Sequence, residues 1–148
     1  MRFKILLMIL PIICLIGCAS LKLSPADYSW PIETVLKVDA QGFVSEERYT
    51  FSLGVKNLFF AEFKDSTKYI NQEIRIIRDN LGYYFITGKE FKNVYVFADA
   101  EGGMSLENKI VLSETIGLTN PAFNQKAPNI ELLDGSNKYL LNYKGHVR

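Results

Sequence analysis

From residue 32 to the C-terminus, apolar and polar side chains alternate in short runs that are separated by turn-forming residues. The first run places Ile32, Thr34, Leu36 and Val38 on one side. Successive side chains of a β-strand point to opposite faces of the sheet, so a period of two residues is typical of a strand with one buried face. The pattern therefore predicts a chain built from β-strands.

Turn-forming residues between these runs predict hairpins. Residues 73–78 and 83–87 flank Asp79-Asn80-Leu81-Gly82, in which Asn and Gly suit left-handed backbone dihedrals. Residues 92–98 and 104–113 form a second pair, with Leu106, Asn108, Ile110 and Leu112 expected on one face. Residues 130–133 and 138–143 form a last hairpin, and residues 49–53 pair back on the first run.

Three segments are less regular. Val55, Asn57, Phe59, Ala61 and Phe63 share one face, which predicts a strand buried on both sides or the rim of an open pocket. Residues 62–68 are polar and are expected to form a short helical turn or a loop. Residues 114–129 contain one glycine and two prolines and are expected to form a long loop.

These elements predict an all-β fold. About eight to ten short strands, most of them joined by tight turns, indicate an antiparallel meander arranged as a sandwich or a small barrel. We expect one β-rich domain, residues 32–148, preceded by a tether, residues 18–31.

The N-terminus has the layout of a secretory signal. Arg2 and Lys4 precede about a dozen apolar residues, too few for a transmembrane helix, which needs roughly 20. The run ends in Leu15-Ile16-Gly17-Cys18, which resembles the lipobox of bacterial lipoproteins. The alternative is an ordinary secretory signal that is cleaved elsewhere.

Resemblance to bacterial lipoproteins implies cleavage between Gly17 and Cys18, which removes residues 1–17. It also implies attachment of diacylglycerol to Cys18, so the membrane would be a partner through the acyl chains. Ala19 stands where an Asp would retain such a protein in the inner membrane, so the resemblance implies an outer-membrane location, most simply facing the periplasm. In a Gram-positive host it implies the cell membrane.

The composition of the mature chain excludes several classes of function. Cleavage before Cys18 leaves 131 of the 148 residues, with 15 basic residues once Arg2 and Lys4 are removed, against 16 acidic ones. This balance lacks the basic surface of a nucleic-acid-binding protein. Because Cys14 leaves with the signal and Cys18 would be acylated, the folded part contains no thiol for a disulfide, a nucleophile or a metal site.

Candidate catalytic groups are few. The only histidine, His146, lies two positions before the C-terminal residue. Asp99 and Glu101 have a spacing that suits a carboxylate pair, but they lie in a glycine-rich turn, where acidic residues are common. Gly102-Gly103 belongs to no phosphate-binding motif. We therefore expect neither an enzyme nor a cofactor or metal ion.

Aromatic residues make up 13% of the chain, and their placement identifies candidate contacts. Trp30 is expected to fold back onto the domain or to lie at the lipid interface. Because neighbours on a strand point to opposite sides, one residue in 58–60 and one in 83–85 needs a partner outside the core. Trp30, Phe60 and Tyr84 are thus possible ligand or partner contacts. Two hypotheses follow: a non-catalytic module that binds an envelope protein or supports an assembly, and a carrier of an apolar ligand with a lipocalin-like pocket.

Overall fold

The structure, a computed structural model, describes residues 30–48 and 50–147. This part of the chain contains eleven β-strands and one helix. In chain order they are β1 (Thr34–Lys37), β2 (Phe43–Glu46), β3 (Phe51–Gly54), α1 (Lys56–Phe63), β4 (Glu73–Arg78), β5 (Tyr84–Thr87), β6 (Asn93–Ala100), β7 (Gly103–Val111), β8 (Pro121–Lys126), β9 (Asn129–Asp134), β10 (Asn137–Asn142) and β11 (Gly145–His146).

The strands form three antiparallel sheets. A five-stranded sheet has the order β1-β4-β5-β6-β7, a four-stranded sheet has the order β11-β10-β9-β8, and β2 pairs with β3 alone. None of these sheets closes on itself within the described residues. The fold is an all-β sandwich, which confirms the predicted fold class.

The strand register shows which face of the five-stranded sheet the helix covers and which face the four-stranded sheet covers. Ile86 pairs with Ile76 on one side and with Tyr95 on the other, so these three side chains share a face. The Tyr95 hydroxyl donates a hydrogen bond of 2.8 Å to Glu62, which places α1 on this face. The opposite face includes Asn108, whose amide donates to the Tyr143 carbonyl at 3.1 Å, directly after β10. The four-stranded sheet therefore covers the second face.

Polar contacts join the two larger sheets at one edge. The Glu33 carboxylate accepts hydrogen bonds from the Arg75 guanidinium and from the backbone N–H of Phe123. The Gln125 amide donates to the carbonyls of Trp30 and Arg78, at 2.8 and 2.7 Å. These contacts attach the segment before β1 to both β4 and β8.

The helix α1 lies where the alternation predicted a strand, so that prediction is wrong. Val55, Leu58, Phe59 and Phe63 also follow a helical spacing, and Phe59 is only 1% exposed. The rings of Phe59 and Phe63 each lie 5.3 Å from the ring of Phe91. Burial against Phe91 thus selects the helix over a strand of the same composition, because tertiary packing overrides local pattern.

The strand β8 lies within residues 114–129, where a long loop was expected. Pro121 is the first residue of β8, and β8 is the edge strand of its sheet. Proline is compatible with both positions, because the missing N–H removes no essential hydrogen bond there. The prolines were therefore an unreliable sign of a loop.

The prediction that Leu106, Asn108, Ile110 and Leu112 share one face is wrong for Leu106. The pairing of β6 with β7 shifts register between Val96 and Phe97, which is the mark of a β-bulge. The extra residue inverts the alternation, so Ile110 is 3% exposed and Leu106 is 55% exposed.

Candidate functional site

An open apolar groove lies between β3 and the end of the five-stranded sheet where β6 turns into β7. Two adjoining depressions of about 310 and about 270 Å³ form the groove. Five residues line both depressions: Ser52, Leu53, Gly102, Gly103 and Met104. The volume of the larger depression is at the lower end of the range of small-ligand sites, roughly 300 to 1,000 Å³.

Different elements supply the floor and one wall of the groove. The five-stranded sheet contributes Ile76, Tyr84 and Met104, which lie on β4, β5 and β7. The hairpin of β2 and β3 lies over the same face and contributes Phe51 and Leu53. Along β3, the half-buried residues Phe51 and Leu53 alternate with two exposed residues, so both point to the same side of the strand.

A cluster of three aromatic rings fixes the base of the groove. The Trp30 ring stacks on Phe51 with centroids 5.8 Å apart, and it meets the Tyr84 ring edge-on at 5.7 Å. Trp30 is 2% exposed, so it packs onto the domain, one of the two positions expected for it. Because Trp30 packs against one side of the Tyr84 ring, the groove is preformed at this end.

The same end of the groove carries its charged groups. The Arg78 guanidinium lies over the Tyr84 ring at 5.5 Å, and an Arg78 nitrogen is 4.0 Å from a carboxylate oxygen of Asp99. The Arg78 side chain is 10% exposed and the Asp99 side chain is 67% exposed. Burial, followed by the negative charge of Asp99, raises the pKa of Tyr84, so this phenol stays protonated at neutral pH.

A second depression, about 210 Å³, is polar and is lined by residues that include Glu73, Arg75, Lys89 and Asn120. Arg75 is already paired with Glu33, and the backbone N–H of Asn120 donates to Asp134 at 2.7 Å. These groups stabilise the sheet junction, so the apolar groove is the stronger candidate site.

The structure brings two of the three candidate contact residues together. Trp30 and Tyr84 meet at the base of the groove, with the Tyr84 ring lining it. Phe60 lies on α1, is 51% exposed and is not among the residues that line the groove. Cys18 and Gly17 lie outside the described residues.

The candidate histidine lies on a different sheet from the candidate carboxylate pair. Asp99 lines the groove, whereas Glu101 is exposed in the following turn. His146 is exposed on β11 and its ring nitrogen lies 3.1 Å from the Val111 carbonyl. Among residues 30–48 and 50–147, no group of three or more His, Cys, Asp or Glu side chains is placed to hold a metal ion.

Sequence reasoning missed Arg78 and Met104 as parts of the site. Arg78 ends β4 and pairs with Tyr84, which a correct register for the predicted hairpin would have indicated. Met104 pairs with Asp99 across β6 and β7. The sequence could not identify it as a site residue, because the groove depends on the hairpin of β2 and β3 lying over this face.

No protein-family model, curated protein or solved structure matches this chain significantly. In the part of the chain that the structure describes, no helix is both long enough and apolar enough to cross a bilayer.

Proposed function

We propose that this chain is a membrane-anchored bacterial lipoprotein whose β domain is a non-catalytic binding module of the envelope. The apolar groove beside Tyr84 is the observation that carries this proposal. Half-buried apolar side chains at Phe51, Leu53 and Met104 leave apolar surface that a partner can remove from water. Each Å² so buried contributes about 25 cal/mol.

The anchor limits where such a partner can be. Eleven residues lie between Cys18 and Trp30, the first residue that the structure describes. A fully extended chain spans at most about 3.5 Å per residue, so the groove stays within roughly 40 Å of the acylated residue. The partner is therefore a component of the membrane surface or the adjoining periplasm.

Photo-crosslinking in living cells tests this function. A benzophenone side chain at Leu53 reports on the groove, and the same side chain at Ile116, which is 74% exposed and outside the groove, is the control. We expect a discrete protein adduct from position 53 only, and its loss when Met104→Glu places a charge in the groove. Equal adducts from both positions, or none from position 53, contradict the proposal.

A carrier of an apolar ligand is the second candidate, because the same apolar lining suits a lipid chain. Native mass spectrometry of the full-length mature protein separates the two functions. A carrier retains an apolar molecule besides the acyl chains on Cys18, and Met104→Glu releases it. An envelope-binding module retains no such molecule and gives the protein adduct.

A further inference from the structure

We propose that the groove binds an extended peptide segment in which apolar and basic residues alternate, and that this segment adds to β3 as a third strand. The inference rests on the proposed binding function and names the chemistry of the partner. It depends on three features: the unpaired edge of β3, the bare opposite wall and the charge at the rim.

The first feature is the edge of β3. Within the described residues β3 pairs only with β2, and β2 lies beside β1. The open edge of β3 therefore faces away from β1, toward the groove. In an antiparallel pair, alternate residues direct their N–H and C=O groups away from the partner strand, so this edge offers hydrogen bonds to an added strand.

The second feature is the wall opposite β3, which has no side chains over two residues. Gly102 and Gly103 form it, and a Cβ at either position would meet no atom within 4 Å. Gly102 has a φ of +77°, which the turn requires, but Gly103 has no such requirement. Glycine in a strand often marks a place where another backbone approaches closely. The space beside Gly103 thus suits a peptide backbone.

The third feature is the charge at the rim. Asp99 is mostly exposed and Glu101 is exposed in the next turn, whereas the Arg78 side chain is only 10% exposed. Solvent at this rim therefore meets the carboxylate of Asp99, which lines the groove. Asp99 and Met104 pair across β6 and β7 and so lie on the same face of the sheet. A Lys or Arg of the added strand therefore reaches Asp99 with its long, flexible side chain, while the alternate apolar side chains contact Leu53 and Met104.

Synthetic peptides test the inference. The probe is an acetylated, amidated hexapeptide that alternates Val and Lys, added to the full-length protein in phosphatidylcholine vesicles. Trp30 is the only tryptophan of the chain and contacts Phe51 and Tyr84, so its fluorescence reports on the groove. Two comparison peptides replace Lys by Glu or carry N-methyl groups on the Val amides. Protein-free vesicles provide the blank.

We expect saturable binding of the Val-Lys peptide, and binding at least about tenfold weaker for each comparison peptide, since one loses charge attraction and the other loses backbone donors. Equal binding of the N-methylated peptide overturns strand addition. Equal binding of the Glu peptide overturns the basic preference. Absence of peptide binding with a retained Leu53 adduct overturns the inference alone, and loss of both overturns the proposed function as well.

A protein variant tests the rim independently. Asp99→Asn should reduce the preference for Lys over Glu peptides by about 1.5- to fivefold, a usual effect for an exposed charge. Glu114→Gln removes an exposed carboxylate that does not line the groove and should leave the preference unchanged. An unchanged preference in Asp99→Asn contradicts the assigned role of this carboxylate.

Discussion

Trp30 and Phe51 stack with their ring planes 11° from parallel, which joins the N-terminal end of the described chain to the hairpin of β2 and β3. Trp30 is buried, and its backbone N–H donates to the Arg78 carbonyl at 3.0 Å. One residue thus connects the N-terminal end of the described chain, the hairpin over the groove and the five-stranded sheet.

Trp30→Ala should therefore lower the free energy of unfolding by about 3 to 5 kcal/mol, the usual cost of removing a buried Trp or Phe side chain. Urea unfolding monitored by circular dichroism measures the loss. Trp30→Phe, which keeps an aromatic ring against Phe51, should cost less than half as much. A loss below about 1 kcal/mol for Trp30→Ala would show that the stacking is peripheral to the fold.

Asp79 stabilises the turn between β4 and β5. Its carboxylate accepts hydrogen bonds from the backbone N–H groups of Leu81 and Tyr83, both at 2.9 Å, and the residue is 2% exposed. Asp79→Ala should cost about 1 to 2 kcal/mol, because two backbone N–H groups lose their acceptor. Asp79→Asn keeps an acceptor oxygen and should change stability at pH 7 by less than about 0.5 kcal/mol or increase it.

The pH dependence separates these variants further. Burial raises the pKa of Asp79 above its ordinary value of 3.8, against the opposing backbone hydrogen bonds. Because the folded pKa is the higher one, the wild type loses stability as the pH rises through it. The advantage of Asp79→Asn over the wild type should grow from about pH 4 to pH 7, as measured by urea midpoints. A constant difference would contradict the raised pKa.

The raised pKa of Tyr95 predicts a loss of stability at alkaline pH. Burial, and then the hydrogen bond and charge of Glu62, raise the pKa of Tyr95 far above its ordinary value of 10.0. The folded protein therefore keeps this proton where the unfolded chain releases it, so the stabilisation is complete below about pH 10 and decreases at higher pH.

Tyr95→Phe should cost about 1 to 2 kcal/mol at pH 7, where Glu62 loses the hydroxyl donor. The same variant should then lose less stability than the wild type between pH 8 and pH 11. Urea unfolding at the two pH values provides the comparison. Parallel losses in both proteins would assign the alkaline effect to other groups.

Local signals predicted some elements well. The turn from Asp79 to Gly82 forms as expected, with Gly82 at a φ of +94° and the Asp79 N–H donating to the Tyr83 carbonyl at 2.9 Å. The alternation of the first run is confirmed at Thr34, Leu36 and Val38, which are all buried, but not at Ile32, which is 61% exposed. These features depend on neighbours in the sequence, which an alternating pattern describes directly.

Elements that depend on distant contacts were not predictable in this way. The helix α1 follows from the packing of Phe59 against Phe91, and the inversion in β7 follows from a bulge opposite Val96. The groove requires β3 to lie over β6 and β7, so nothing in the sequence indicated that Leu53 and Met104 line one site. Trp30 and Tyr84 could be chosen as candidate aromatic contacts from the sequence, but their contact with each other at one site could not be predicted.

The central claim is that a lipid anchor at Cys18 holds a binding domain at the membrane. Metabolic labelling with a radioactive fatty acid, followed by membrane fractionation, tests it most directly. We predict that the wild type is labelled and membrane-bound, and that Cys18→Ser is unlabelled and accumulates as soluble or unprocessed protein. A Cys18→Ser protein that is processed normally and remains in the membrane would contradict the claim.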